Sequence, residues 1–159
     1  MKEYHLIEPI YDKDSKILIL GSFPSVKSRE ANFFYHHPQN RFWRVLAAVY
    51  QDTVPEEIAD KKAFLKRHQI ALWDVIASCN IKGSSDSSIS DVEVNDLNMI
   101  IANSSVKHIY TNGKLADKLY HRYFDAIIDL PVTKLPSTSP ANAAYSLDKL
   151  LIYWRVINE

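Results

Sequence analysis

Residues 17–43 read ILILGSFPSVKSREANFFYHHPQNRFW, and this stretch predicts the class of the fold. It starts with an unbroken apolar run, Ile17 to Leu20, which is typical of a strand buried on both faces. The run stops at Gly21, and a loop rich in polar and aromatic residues follows it. Open α/β sheets form ligand crevices beyond the carboxyl ends of their strands. We therefore expect this loop to line a binding site.

The rest of the chain alternates predicted strands and helices. Apolar runs predict strands at 16–20, 70–76, 106–111 and 132–135. Helices are predicted over 38–50, from Pro55 to His68, at 97–101, after Gly113, and at the end of the chain from a first turn that contains Pro140. Residues 1–15 are predicted to be an irregular lead-in and 79–90 a surface loop. This alternation predicts a single three-layer α/β domain over residues 1–159, with a short parallel sheet.

The composition limits where the protein works. Of the 159 residues, 47% are hydrophobic and 24% are charged, as in ordinary globular proteins. No apolar run approaches the roughly 20 residues that span a membrane, and the first residues lack the apolar region of a signal peptide. We expect a cytoplasmic protein with no membrane association and no obligate protein partner.

Charge and cysteine content exclude two further classes of function. A net charge of zero argues against tight, non-specific coating of nucleic acid. A local basic patch is still expected near the loop, where one anion accompanies four cations: Lys27, Arg29, Arg41 and Arg44. The single cysteine, Cys79, cannot form an internal disulfide or supply a cysteine-held metal centre, so we expect it to fill the core.

Four polar segments follow the predicted strands: 21–25, 73–74, 112–113 and 137–142. The carboxyl ends of parallel strands lie at one edge of a sheet, so these segments should converge there. Within the loop, Tyr35 and its aromatic neighbours could pack in the core or stack on a planar base. His36 and His37 have no third metal ligand at a suitable spacing, so we expect no metal site there.

Two asparagines have both a structural and a chemical interpretation. Asn40 could cap a helix, or its amide oxygen could hold a water beside a sugar carbon. Asn112 could sit in a turn, or it could read a base edge that presents a carbonyl next to a ring N–H. Asp74 could serve in the same way or cap the strand end. Gly21 allows a close backbone approach to a ligand, or simply a tight exit from the strand.

Five motifs occur along the chain in a fixed order: GSFPS (21–25), HHPQNRFW (36–43), LWDVIASC (72–79), TNG (111–113) and LPSTSPAN (135–142). In this series the chain resembles the uracil-DNA glycosylase superfamily, and most closely its hypoxanthine-DNA glycosylase, or DNA-deoxyinosine glycosylase, family. The resemblance extends from about residue 16 to the C-terminus. It implies a three-layer α/β/α fold with a four-stranded parallel sheet, and a base that is flipped from DNA into a pocket at the strand ends.

The resemblance also implies roles for particular residues. Many members carry a water-activating Asp or Asn in the first motif where this chain has Phe23, which implies that the role passes to Asn40. Asn112 would stabilise the departing base, and Tyr35 would stack on it. The other implied pocket residues are Gly21, Ser22, Phe23 and Asp74. The implied DNA-binding residues are Ser25, Ser137, Thr138, Ser139, Ala141 and Asn142.

Two departures in the second motif affect the expected substrate. Ser137 stands where many relatives have a histidine, and Ala141 where some insert a large apolar wedge, so uracil excision should be weaker. The expected function is a monofunctional glycosylase that removes a deaminated base, namely hypoxanthine, or uracil or xanthine, from DNA in base excision repair. The alternatives are a non-catalytic module that binds lesion DNA or nucleotides, and a nucleoside hydrolase.

Overall fold

The protein contains a four-stranded parallel sheet and a smaller antiparallel sheet, with helices packed around them. The computed structural model describes residues 2–159. In chain order the elements are β1 (Lys2–Tyr4), β2 (Ile17–Gly21), α1 (Val26–Ala31), α2 (Phe42–Val49), α3 (Ile58–Arg67), β3 (Ile70–Asp74), β4 (Ile76–Asn80), β5 (Ser90–Val94), α4 (Leu97–Ala102), β6 (His108–Asn112), α5 (Lys114–Phe124), β7 (Val132–Leu135) and α6 (Leu147–Trp154). Short 3₁₀ turns occupy Asp86–Ser88 and Arg155–Asn158.

The parallel sheet confirms the predicted three-layer α/β/α class. Its strand order is β3-β2-β6-β7, and all neighbours run parallel. Leu18, Ile19 and Leu20 of the central strand β2 are fully buried, as the unbroken apolar run predicted. The chain leaves β2 for β3 on one side of it and later returns as β6 on the other. Such a change of direction produces a crevice at the carboxyl ends of the two central strands.

A second sheet, with the order β1-β4-β5, was not predicted. The expected strand 70–76 is in fact two strands, β3 and β4, which meet at Val75. The Asn95 side chain supports this junction by donating to the backbone carbonyls of Asp74 and Ile76. The predictions of an irregular 1–15 and of a surface loop over 79–90 were therefore wrong where β1, β4 and β5 form. β1 and β5 are short and partly exposed, so no apolar run in the sequence marks them.

Four helices also differ from the prediction. Helix α1 was missed, and α2 begins at Phe42 rather than Pro38 because residues 36–41 form turns. Helix α3 begins at Ile58, where Glu57 and Asp60 form a reciprocal capping box, so Pro55 precedes the helix. The last helix begins at Leu147 with Ser146 as its cap, and Pro140 lies well before its first turn.

The core lies on both faces of the parallel sheet. Cys79 is buried in it, as predicted, and burial raises the pKa of its thiol. Helices α2 and α6 pack on each other, with the Phe42 and Trp154 rings edge to face at 6.0 Å. The Trp154 indole also donates to the carbonyl of Pro136, which fixes the start of the segment that follows β7.

Candidate active site

A cavity of about 270 Å³ lies at the carboxyl ends of the parallel strands. Gly21 of β2, Asp74 of β3 and Asn112 of β6 line it, and Ser137 reaches it from just beyond β7. The strand ends therefore converge as predicted. Residues from all five motifs meet at this edge of the sheet. The side chains of Trp43 and Trp73, which belong to two of these motifs, are instead buried in the core.

Gly21 is required by a close approach of two side chains. A Cβ atom at this position would lie 2.4 Å from Asp74 Oδ1 and 2.9 Å from the Tyr35 hydroxyl oxygen. Any larger residue would displace one or both of them. Gly21 thus brings an acidic and a phenolic oxygen together at the bottom of the cavity.

Tyr35 is held in an unusual position. Its backbone is left-handed, with φ 49°, and its ring stacks on Phe42 at a centroid distance of 3.9 Å. Its hydroxyl is buried without a hydrogen-bond partner within residues 2–159. Burial raises the pKa of this hydroxyl far above its usual range, and the Asp74 carboxylate adds to the rise. Tyr35 therefore presents a neutral O–H group whose proton has no acceptor among the described residues.

A hydrogen-bond network joins Asn40, Thr138 and Asn112. The Thr138 N–H donates to Asn112 Oδ1 at 3.1 Å, and Asn112 Nδ2 donates to the Thr138 hydroxyl at 3.1 Å. The same hydroxyl donates to Asn40 Oδ1 at 2.9 Å. Asn40 Oδ1 also accepts the backbone N–H of Phe42 at 2.9 Å. Because each asparagine oxygen faces a backbone N–H, both amide orientations are determined.

This network leaves amide N–H groups for the cavity. Asn40 Oδ1 already accepts two hydrogen bonds, which uses both of its lone pairs. The prediction that this oxygen holds a water is therefore wrong, and Asn40 Nδ2 is the group left over. Asn112 Nδ2 likewise keeps one hydrogen after donating to Thr138. This side of the cavity is lined by donors.

Thr138 was predicted to contact DNA, but its side chain is fully buried. Its hydroxyl accepts from Asn112 and donates to Asn40, so it has no proton left for a phosphate. The structure places Thr138 between the two asparagines instead. Neither the sequence pattern nor the resemblance predicted that Thr138 lies between the asparagines, because Asn40 is 98 residues and Asn112 is 26 residues away in sequence.

The remaining predicted DNA-binding residues of the loop 137–142 are at the surface or half-buried. The backbone N–H groups of Ser139, Ala141 and Asn142 are not free, since they bond within the loop. These three amides are therefore not available to a DNA phosphate. The hydroxyls of Ser137 and Ser139 accept these bonds and keep their own protons to donate.

Arg41 holds this loop in place. Its guanidinium donates to the carbonyls of Tyr145, Ser139 and Asn142, and its backbone N–H donates to the carbonyl of Thr138. Arg29 is also occupied: it pairs with Glu3, donates to the Gly83 carbonyl and lies over the Phe23 ring. Two of the four cations of the predicted basic patch are thus structural.

The other predicted pocket residues lie at the cavity wall. Ser22, Phe23 and Ser25 line it, and Ser25 also caps the short helix α1. His37 lines it as well, with Nδ1 accepting the N–H of Gln39, while His36 is exposed. Within residues 2–159 no group of three or more His, Cys, Asp or Glu side chains is placed to hold a metal ion.

Sequence reasoning missed two cavity residues that follow β4, and a third residue that contacts the cavity residue Asp74. Ser84 and Asp86 reach the cavity from the connection between β4 and β5, and burial raises the pKa of Asp86. His5, just after β1, bonds through Nε2 to Asp74 Oδ2 at 2.7 Å. These residues come from segments that were predicted to be irregular, and no local spacing indicates their contacts with the site.

The chain is similar to known glycosylases over most of its length. A family profile described as the uracil DNA glycosylase superfamily matches residues 8–158. A hypoxanthine DNA glycosylase of Methanosarcina acetivorans is 32% identical over 142 residues, which is 88% of this chain and 89% of the relative. One of Methanosarcina barkeri is 34% identical over 108 residues, 67% of this chain and 68% of the relative.

A solved structure shows the same fold. The solution NMR structure of a Methanosarcina acetivorans protein, provisionally named a uracil DNA glycosylase, superimposes with a TM-score of 0.82. The two chains are 29% identical, and the match covers 100% of each. In addition, no helix among residues 2–159 has the length and apolarity to cross a membrane.

Proposed function

The chain belongs to the uracil DNA glycosylase superfamily and is a hydrolase that acts on N-glycosyl bonds in DNA, and on that premise we propose that its main substrate is hypoxanthine. Uracil and xanthine are further candidate bases. Its proposed context is base excision repair of deaminated DNA, as a monofunctional enzyme without a cofactor. The observation that carries the proposal is the Asn40–Thr138–Asn112 network, which directs amide N–H donors toward a cavity of the size of a base.

Substrate entry requires the base to leave the duplex. Flipping costs a few kcal/mol and is cheapest for a mispaired base. An example is hypoxanthine formed from adenine, which lies opposite the thymine that paired with that adenine. Tyr35 is proposed to receive the base on the ring face that Phe42 does not cover. Because Phe42 fixes the ring and the left-handed backbone fixes its direction, the stacking surface is formed before the base arrives.

Bond cleavage places charge on the base and on the sugar. The departing base carries the electron pair of the N-glycosyl bond, so N–H donors that point at it stabilise the transition state. Asn112 Nδ2 is proposed to donate to a carbonyl oxygen of the base. The donor is prepositioned because Thr138 fixes the amide.

The water is proposed to be positioned, not deprotonated, by Asn40. Phe23 occupies the place of an acidic residue, and its ring packs with His5 and Arg29. A sugar cation is electrophilic enough to react with neutral water that is held in line. Asn40 Nδ2 can donate to that water's oxygen, and its orientation is fixed by the Phe42 N–H and the Thr138 hydroxyl.

DNA is proposed to contact Ser25, Ser137, Ser139 and Ala141, which line the cavity, and the neighbouring Asn142. The hydroxyls of Ser137 and Ser139 supply donors for phosphates, and Ala141 is exposed. Because Ala141 is small, this loop would refill the emptied stack poorly. This favours lesions whose pairing is already weak.

The experiment uses labelled duplexes that contain one hypoxanthine, uracil or xanthine, followed by alkaline cleavage of abasic sites. We expect release of hypoxanthine by the wild type and a loss of at least about 100-fold in the variants Asn40→Ala and Asn112→Ala. Asn103→Ala is the matched control, because Asn103 is exposed at the end of α4, remote in the fold from the strand ends.

Two results would contradict the proposal. One is a folded wild type that releases uracil but no hypoxanthine. The other is release of the base from free deoxyinosine at a rate that equals release from DNA, which would indicate a nucleoside hydrolase. Equal rates in Asn40→Ala and Asn103→Ala would remove Asn40 from the mechanism.

A further inference from the structure

A buried pair joins His5 to Asp74, which lines the cavity. His5 Nε2 and Asp74 Oδ2 are 2.7 Å apart, and the two side chains are 0% and 5% exposed. The imidazole is enclosed by the rings of Phe23, Phe34 and Trp73 at centroid distances of 6.1, 6.1 and 6.3 Å. A polar pair in such aromatic surroundings costs desolvation energy, so its presence calls for a specific role.

The pair determines what the other carboxyl oxygen can do. If Asp74 is ionised, His5 donates to Oδ2, and Oδ1 is an acceptor. If the proton lies on Asp74 instead, Oδ2 carries it toward Nε2, and Oδ1 is still a carbonyl acceptor. In both of these states, in which one proton is shared across the contact, Oδ1 accepts and does not donate. An unpaired carboxyl group would lack this restriction, because either oxygen could carry the proton.

Oδ1 is also the oxygen that is placed for a ligand. Asp74 lines the cavity, and Oδ1 lies against Gly21 beside the unpartnered Tyr35 hydroxyl. None of the side-chain hydrogen bonds within residues 2–159 ends on Oδ1, whereas Oδ2 is taken by His5. The cavity thus combines one fixed acceptor, Asp74 Oδ1, with the donors Tyr35 Oη and Asn112 Nδ2.

We infer that His5 is a positioning residue for base selection, an inference that rests on the function proposed above. His5 fixes Asp74 Oδ1 as the acceptor for a ring N–H beside a carbonyl. Hypoxanthine presents N1–H next to its carbonyl, and uracil presents N3–H between two. Adenine presents a ring lone pair at that position, which faces the lone pairs of Oδ1 and leaves that oxygen unpaired. Adenine and cytosine, which both present a ring lone pair at that position, are thereby rejected by the same atom that holds the damaged base. Guanine and thymine share the N–H beside a carbonyl, so this atom does not discriminate against them.

The test compares two substrates in three proteins. Duplexes carry either hypoxanthine or unsubstituted purine, which lacks both N1–H and the carbonyl, and the ratio of their kcat/KM values measures recognition of that edge. The proteins are the wild type, His5→Leu and His5→Gln. Differences in leaving-group ability between the bases cancel when the ratio is compared between proteins.

We expect His5→Leu to lower the ratio by about 10- to 100-fold, because a hydrogen bond to a charged group is at stake. His5→Gln should keep the ratio within a few fold, since its Nε2 can still donate to Oδ2. If His5→Leu fails to fold, Asp74→Asn provides a second test. In this variant His5 should bond to the amide oxygen, so that the amide N–H₂ group faces the cavity. The ratio should again fall.

An unchanged ratio in His5→Leu or Asp74→Asn, with both rates merely reduced together, would overturn the inference and leave His5 a structural residue. A fall in the ratio for His5→Gln as large as that for His5→Leu would also overturn it. A wild type that releases no hypoxanthine would instead refute the proposed function. The failures of the two proposals are thus distinguishable.

Discussion

The Thr138 hydroxyl donates a 2.9 Å hydrogen bond to Asn40 Oδ1, so that a fully buried threonine sets the orientation of an amide 98 residues away. The change Thr138→Val removes the hydroxyl at nearly constant volume. We expect kcat to fall by about 100-fold, because both amides lose a constraint and small misplacements are costly. Stability should fall by about 1–3 kcal/mol, since buried polar groups lose their partner.

Thr138→Ser is the matched control, because it keeps the hydroxyl and removes only a methyl group. Its kcat should stay within a few fold of the wild type. Single-turnover rates on hypoxanthine duplexes and urea denaturation separate the two effects. A Thr138→Val protein with wild-type kcat would show that the network does not orient the asparagines for catalysis.

Gly21→Ala should abolish most activity while the protein still folds. The added Cβ would lie within 3 Å of both Asp74 Oδ1 and the Tyr35 hydroxyl, so these groups must move out of the cavity. We expect a loss of at least about 100-fold in kcat/KM. Gly83→Ala makes the same change at a left-handed glycine with open space around it, and should cost about 1 kcal/mol of stability through backbone strain alone. Equal activities of the two variants would contradict the close-approach argument.

Arg41→Lys should weaken DNA binding although it preserves the charge. Lysine cannot donate to three carbonyls from one planar group, so the loop 137–145 loses its anchor. We expect KM to rise by about tenfold or more, with a smaller change in kcat.

Arg44→Lys is the control for that experiment. Arg44 lies on the same helix, α2, and is exposed, so the same conservative change should leave KM within about twofold. Steady-state rates at a series of concentrations of a labelled duplex measure KM for both variants. A similar KM in Arg41→Lys and the wild type would show that the loop is held by other contacts.

Asp52 makes stability depend on pH at a site remote from catalysis. Hydrogen bonds from His68, Arg67 and the Thr53 N–H hold the pKa of this carboxyl well below its usual range. A group whose pKa is lower in the folded state stabilises the protein above its unfolded pKa of about 4, and this contribution is lost as the pH falls below that value. Asp52→Asn should therefore lower the urea midpoint at pH 7 and have a shrinking effect toward pH 3.

Glu8→Gln is the control, since Glu8 is exposed and forms no ion pair within residues 2–159. Its urea midpoint should follow the wild type at both pH values. A deficit in Asp52→Asn that stays constant from pH 7 to pH 3 would mean that the ionised carboxylate is not the stabilising group.

Apolar runs predicted the parallel sheet because its strands are buried on both faces. β2 and β7 formed close to the predicted bounds, and the strand-end argument located the cavity. The antiparallel sheet was missed because β1 and β5 alternate between exposed and half-buried positions over a few residues. Long-range pairing, not local pattern, makes them strands.

The candidate site could be located from the sequence, but the hydrogen bonds between its residues could not be predicted. Asn40 and Asn112 were identified by residue type and position, yet the oxygen of Asn40 turned out to be fully occupied. That depends on Thr138, whose partners are distant in sequence. His5 was missed for the same reason, because Asp74, the hydrogen-bond partner of its side chain, is 69 residues away.

The Asn40–Thr138–Asn112 network also has a consequence for protein synthesis. A chain leaves the ribosome from its N-terminal end, and β2, β3 and β6 are all complete before residue 138 is made. Until then both asparagines exist without the hydroxyl that orders them. A nascent chain can therefore form three of the four parallel strands before this network exists. On the mechanism proposed above, efficient base excision begins only when Thr138 packs between the two asparagines.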